Sequence, residues 1–305
     1  MMKEIQLNQQ EKISAIALGC MRISGMNVQE LSSHVHAALD LGITFFDHAD
    51  IYGKGESEVR FGELLALEPD LRKRIFLQDK CGICPGYYDS SREHILESVE
   101  NSLKKLQTEY LDALLIHRPD VLADPDEIAE AFACLKKEGK VRYFGVSNHT
   151  PDQMEVLQQA VGDRLMFNQM QLSLVHTPMI DQGIQTNTCF AGAIDKDGGV
   201  LDYMKRTHRI LQVWSPFQHG FIEGPFIDNP DFPEVNQALQ QMAEKYDTSK
   251  TTIATAWLLR LPLSLQVITG TTSAKRLREI ASACEIRLAA KDWYALYCAA
   301  GNQLP

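Results

Sequence analysis

Eight short apolar, β-branched or aromatic runs punctuate this chain: Ala15–Leu18, Thr44–Phe46, Ile75–Leu77, Leu114–Ile116, Tyr143–Val146, Met166–Met170, Leu211–Trp214 and Val267–Thr269. Most lead into a segment whose apolar residues fall three and four apart, as at Ile95, Val99, Leu103 and Leu106, the spacing of one helix face. Strand then helix, repeated without a polar linker, predicts an α/β architecture, a (β/α)8 TIM barrel, as a single domain over residues 1–305. With 45% hydrophobic residues the chain can fill such a core.

Two helix starts announce themselves. Asn27 to Glu30 (NVQE) and Ser90 to Glu93 (SSRE) each set a capping residue three before a glutamate, the pattern of a capping box. Two stretches break the rhythm, Val175 to Gly199 and Gln218 to Pro233; both are rich in Gly, Pro, Asn and Asp, and both follow strand ends. They are expected over the C-terminal mouth, where barrel enzymes keep their function. A further helix, Lys291 to Ala300, closes the chain.

Charge narrows the partners. The 30 Lys+Arg against 40 Asp+Glu leave a net charge of −10, which repels nucleic acid and an anionic membrane surface. The opening residues MMKEIQLNQQEK carry no apolar secretory segment and no run is long enough to span a bilayer, so a cytoplasmic location is expected. Seven irregularly spread cysteines suit a reducing compartment rather than a disulfide framework.

Four polar residues fall at strand ends and should face one mouth: Asp47 and Tyr52 after strand two, Lys80 at the end of strand three, His117 after strand four. Together they form a proton-transfer set. A tyrosine with its ordinary pKa of ~10 is a poor acid–base catalyst near neutrality unless a cation such as Lys80 stabilises its phenolate. Asp47 would orient that lysine, and a neutral His117 would position the carbonyl oxygen that Tyr52 protonates.

From these residues outward the chain resembles the aldo-keto reductases over nearly its whole length. Gly42 to Glu58 (GITFFDHADIYGKGESE) matches that family's strand-two signature, in the Y-G-x-G-x-S-E form of one branch. Tyr110 to Pro119 (YLDALLIHRP), Gly139 to Asn148 (GKVRYFGVSN) and Asn168–Gln169 match three further signatures in order. The resemblance implies hydride transfer from a reduced nicotinamide to a carbonyl, with NADP(H) as cofactor and Tyr52 as proton donor. Ser147, Asn148 and Gln169 would then serve the nicotinamide carboxamide, Asp47 would also lie near the ribose, and Trp214 would replace the usual stacking tyrosine. The loop from Ser215 to Gly224 resembles a pyrophosphate cover, with Gly220 allowing close backbone approach. Gly270, Thr271, Thr272 and Ser273, with Arg276 behind them at a helix start, match the family's site for the adenosine 2′-phosphate. His48 stands where a threonine is usual, Gly270-Thr-Thr-Ser273 where many NADP-specific members have Lys-Ser, and Ile280 where an asparagine is frequent.

Other residues invite weaker readings. Cys81 and Cys84 have redox or half-zinc spacing, but nothing completes a zinc set, so they are read as rim packing. His34 and His36 lie two apart on a helix and face different ways, so no metal is expected. His48 is assigned to the barrel wall. Arg118 follows His117 and suits an anionic substrate group, or pairs with Asp120 or another rim carboxylate. The expected partner is a small-molecule carbonyl substrate, with no obligate protein partner. Two other functions remain open: a Schiff-base barrel enzyme using Lys80, and a non-catalytic NADP-binding sensor or regulatory subunit.

Overall fold

A computed structural model describes all 305 residues. Eight parallel strands close into a barrel: β1 (Ile16–Gly19), β2 (Phe45–Asp47), β3 (Phe76–Cys81), β4 (Leu111–Ile116), β5 (Val141–Ser147), β6 (Leu165–Gln171), β7 (Ile210–Trp214) and β8 (Leu265–Thr269). Each expected run lies on one of them. Several strands reach further than their apolar runs: β4 starts at Leu111 and β5 at Val141, and β3, expected to end in Lys80, runs on to Cys81, with Gln78, Asp79 and Lys80 all buried despite their polarity.

The helices lie outside the strands: α1 (Val28–Asp40), α2 (Glu56–Leu67), α3 (Arg92–Lys105), α4 (Pro125–Lys137), α5 (Pro151–Ala160), α6 (Pro178–Ile184), α7 (Val200–Thr207), α8 (Pro233–Lys245), α9 (Lys250–Leu259), α10 (Ala274–Ser282) and α11 (Ala290–Ala299). The Asn27 capping box on α1 forms as expected. On α3 the cap is one residue later: Ser91, not Ser90, accepts from His94 N, while Ser90 N–H donates to Asp120. The stretch 175–199 holds only α6 and one 3-10 turn, and 218–233 holds a two-residue hairpin.

The lower end of the barrel is structural. Phe45 and Phe76 stack at 4.5 Å, with Phe167 at 6.2 and 6.4 Å from them. A hairpin absent from the sequence reading, Glu4–Gln6 with Lys12–Ser14, lies against this end and buries Ile5 and Ile13. Asp112, inside one of the resemblance signatures, also sits here: it binds Arg72 at 2.9 Å, Arg142 at 2.6 Å and the Leu77 N–H at 2.8 Å. Its work is to tie β3, β4 and β5 together, five residues before the strand delivers His117 to the other end.

One row of barrel residues sets up the site. Across neighbouring strands, Gly19 pairs with Asp47 and Asp47 with Gln78. On the other side, Ser147 pairs with Gln169, Gln169 with Gln212 and Gln212 with Gln266. Paired residues of adjacent strands project to the same face, so this level of the barrel interior is polar.

Candidate active site

A cavity of about 630 Å³ opens at the C-terminal ends of the strands. Asp47, Tyr52, His117, Ser147, Asn148, Gln169, Trp214 and Ser215 line it, as do Arg118, Gly270, Thr271 and Arg276. Lys80 lies just beneath. After Asp47 the chain folds back over β3, with Asp50 N donating to Lys80 O, and enters a tight turn at Tyr52–Gly55. Gly53 has φ 58° and a Cβ there would stand 2.8 Å from Ser24, so the turn that aims Tyr52 needs glycine on two counts.

Lys80 is fully buried and donates to Asp47 Oδ1 and to the His48 carbonyl, both at 2.6 Å. Burial alone pushes its ammonium down, but the carboxylate of Asp47, with the Tyr52 hydroxyl beside it, outweighs this and holds it above the ordinary lysine value. A Schiff-base amine needs the opposite, a neutral nitrogen, so that alternative loses its chemical basis. The Lys80 Nζ lies 5.0 Å from the centroid of the Tyr52 ring. Burial pushes the Tyr52 phenol up to about 12, while Lys80 pulls it down and Asp47 pushes it up again. Lys80 thus acts on the phenol in the expected direction, but desolvation is larger, and Tyr52 stays protonated near neutrality.

The ring of His117 meets Tyr52 edge-on at 6.2 Å. Burial, then Lys80 and Arg118, hold it well below the ordinary histidine value, so it is neutral as expected. His48 is on the wall: its ring is fully buried edge-on against Phe61 at 4.8 Å, and burial and Lys80 lower it to about 3.

On the opposite wall Ser147 Oγ donates to the Gln169 carbonyl at 2.9 Å, and Asn148 Nδ2 donates to Ser147 Oγ at 2.8 Å. Trp214 Nε1 donates to Asn148 Oδ1 at 3.2 Å, which fixes the indole on the cavity wall. Gln169 Nε2 donates to Asp47 Oδ1 at 3.0 Å, while its amide oxygen takes no bond from the protein. Asn148 (φ 60°) and Ser215 (φ 49°) hold left-handed backbone conformations, strain that clusters where the wall bends. An acceptor without a donor, a flat aromatic wall and an arginine without a carboxylate fit a nicotinamide cofactor's amide, ring and phosphate.

Three expected cofactor residues lie outside the lining. Gly220 turns its α-carbon toward Glu223, whose carboxylate a Cβ there would meet at 2.2 Å, and its carbonyl accepts from Gln171. Ser273 spends its hydroxyl capping α10, accepting from Arg276 N, and Thr272 projects outward. Thr271 and Arg276 do reach the cavity, beside Ile280. Arg276 has no carboxylate within salt-bridge distance, and neither does Arg118, whose guanidinium carbon lies 5.8 Å from the Phe221 ring centroid. Asp120 instead accepts from Ser90 N and Leu122 N. Cys81 is buried and free, and Cys84 is free beside His94 at 3.7 Å. His34 bonds the Thr271 carbonyl and His36 pairs with Glu68, so the two histidines diverge. Arg22, Met21, Ile51 and Phe221 also line the cavity and were not singled out in the sequence; all belong to loops, whose contacts follow no period.

No helix is long and apolar enough to cross a membrane. The model of the Aldo/keto reductase family matches residues 15–297. Oxidoreductase YdhF of Escherichia coli (strain K12) is 36% identical over 306 residues, covering 96% of each chain. A 6-dehydroglucose reductase of Novosphingobium aromaticivorans is 36% identical over 303 residues, covering 96% of this chain and 94% of its own. Among solved structures, a thermostable aldo-keto reductase in complex with the inhibitor epalrestat superposes with a TM-score of 0.78 at 24% identity, covering 98% of this chain and 100% of its own.

Proposed function

The chain belongs to the aldo/keto reductase family, and we propose that it reduces aldehyde or ketone carbonyls to alcohols with NADP(H), Tyr52 giving the proton. The observation that carries this reading is the convergence of Asp47, Lys80, Tyr52 and His117 at the foot of one cavity. The bound cofactor supplies the hydride, from C4 of its reduced nicotinamide. Ser147, Asn148 and Gln169 would hold the carboxamide, Trp214 would provide a wall for the ring, and Ser215, Gly270, Thr271 and Arg276 would hold the remaining length. Tyr52, protonated because burial lifts its phenol to about 12, delivers its proton to the developing alkoxide. Lys80, held as a cation by Asp47, stabilises the phenolate left behind. Neutral His117 directs the carbonyl oxygen toward Tyr52.

The deciding experiment is loss of NADPH absorbance with a panel of aldehydes, quinones and dicarbonyls. The panel includes 6-dehydroglucose, since the Novosphingobium relative carries that reductase's name. Tyr52→Phe should keep cofactor binding and lose reduction by ~10²–10⁴-fold, the usual contribution of a general acid. Turnover reduced by less than tenfold would remove Tyr52 from that role, and a wild type that binds NADPH without turning over any carbonyl would favour the sensor.

Arg118 extends the reading to substrate. A guanidinium at the mouth without a carboxylate partner suits an anionic substrate group, so Arg118→Ala should raise KM for carboxylate-bearing aldehydes by roughly ten- to a hundredfold. Neutral aldehydes should change little. Equal effects on both would leave Arg118 without a part in selection.

A further inference from the structure

Beneath the cavity the barrel axis carries a continuous chain of buried amides. Gln78 Nε2 donates to Asp47 Oδ1 at 2.6 Å and to Gln212 Oε1 at 3.0 Å. Gln212 Nε2 donates to Gln78 Oε1 at 3.0 Å and to Gln266 Oε1 at 2.9 Å. Gln266 Nε2 donates to the Ser14 carbonyl at 2.6 Å, in the hairpin against the barrel's lower end. Gln169 joins from the side, donating to Gln212 Oε1 at 3.2 Å as well as to Asp47. Gln78, Gln212 and Gln266 are fully buried, and none of the three touches the cavity.

We propose that Gln212 and Gln266, with Gln78, are positioning residues that fix the direction of the Gln169 amide and so select the carboxamide of the cofactor. The inference rests on the functional reading above, in which Gln169 meets that carboxamide. The logic is one of donors and acceptors. An amide has two chemically opposite ends, and nothing in its shape prevents it from turning over. A carboxylate paired to a lysine and a peptide carbonyl can only accept, and these two groups, Asp47 and Ser14, stand at the two ends of the chain.

Starting from Ser14, Gln266 must offer its NH2 downward and therefore its oxygen upward. Gln212 must then present NH2 to Gln266, and its own oxygen faces Gln78 and Gln169. Those two amides must both present NH2 to that oxygen, and the same orientation satisfies Asp47. The assignment closes without a conflict at any link, so the oxygen of Gln169 is left pointing at the cavity as an acceptor. Two acceptors on one NH2 group, Asp47 and Gln212, also fix the plane of that amide, whereas either alone leaves a pivot. Leaving a buried amide half-satisfied is costly, so the arrangement resists reversal. An acceptor held in this way rewards a ligand that brings an N–H, and a carboxamide does so.

The test compares NADP⁺ with its 3-acetylpyridine analogue, which keeps a carbonyl at that position but has no N–H to donate. Affinities are read by quenching of protein fluorescence, and folding by thermal melting. Wild type should bind NADP⁺ about five- to tenfold tighter than the analogue, as one hydrogen bond allows. In Gln212→Leu the preference should fall to within about twofold, chiefly through weaker NADP⁺ binding. Gln266→Leu, one link further away, should lower it in the same direction by less, and it carries the test if Gln212→Leu does not fold. Equal weakening of both ligands, with the preference intact, would make the chain a packing device and overturn the inference while leaving the functional reading in place. A wild type that binds both dinucleotides equally would also overturn it, and one that binds neither would overturn the reading of the site together with the inference.

Discussion

At the scale of single residues, Lys80 decides what Tyr52 can do. Its ammonium is fully buried with two partners, and its charge is the largest influence opposing the burial of the phenol. Lys80→Met keeps most of the side-chain volume and removes that charge, so the phenol should rise further still. Alcohol oxidation, which needs the phenolate as base, should climb with pH from about 7 to 10 in wild type, and the variant's curve should lie at higher pH throughout. Coincident curves would show that Lys80 does not act on Tyr52. The four residues Asp47, Tyr52, Lys80 and His117 were legible in the sequence because each is a polar group of catalytic type at the end of an apolar run. Gln78, Gln212 and Gln266 escaped notice although a signal was present: Gln78 stands two residues before Lys80 and shares its face of the strand. A polar residue inside an apolar strand reads as an interruption until the neighbouring strands are known to answer it.

At the scale of elements, the alternation of runs and helices was legible because burial on both faces of a barrel strand writes an apolar segment. Several strand starts were not: β4 begins at Leu111 and β8 at Leu265, ahead of their apolar runs, because the polar Asp112 and Gln266 inside them find partners on neighbouring strands. The loops were least legible: Gly220 faces Glu223, and Ser273 is consumed by a cap, both consequences of local contacts that no period encodes. The start of α10 nonetheless keeps the reading of a phosphate site. With Ser273 occupied, Thr271 and Arg276 remain, and Arg276 is free of any carboxylate. A charge-assisted hydrogen bond contributes ~1.5–3 kcal/mol, so Arg276→Ala should weaken NADPH by roughly ten- to a hundredfold. NADH, without the 2′-phosphate, should bind as before. Titration of both cofactors reads the difference, and equal losses would move the phosphate elsewhere.

At the scale of the whole molecule, the buried titratable groups set opposing slopes of stability against pH. Five histidines are shifted down chiefly by burial: His48 to about 3, His149 to about 4, and His34, His117 and His176 below their ordinary value. Below the unfolded histidine value of ~6.5 the unfolded chain takes up protons that the folded chain refuses, so stability falls as pH falls. Three carboxylates are shifted the other way, again chiefly by burial: Asp50 to about 7, Asp79 and Asp197 upward. For these the folded chain keeps protons that the unfolded chain has lost, so stability falls as pH rises toward the folded value. Below about 6 the five histidines outnumber the three carboxylates, which oppose them from the unfolded value of ~3.9 upward; above about 6.5 the histidines are silent, and Asp50 goes on lowering stability only until its folded value of about 7. The growing negative charge of a chain already at −10 works in the same direction on the alkaline side. Urea midpoints should therefore peak between about pH 6 and 7 and decline on both sides, and Asp79→Asn should steepen the rise from about pH 4 toward the peak and make the decline beyond it shallower. A midpoint that climbed steadily from acid to alkaline pH would mean that Asp50 and Asp79 are ionised in the folded protein as readily as in the unfolded one.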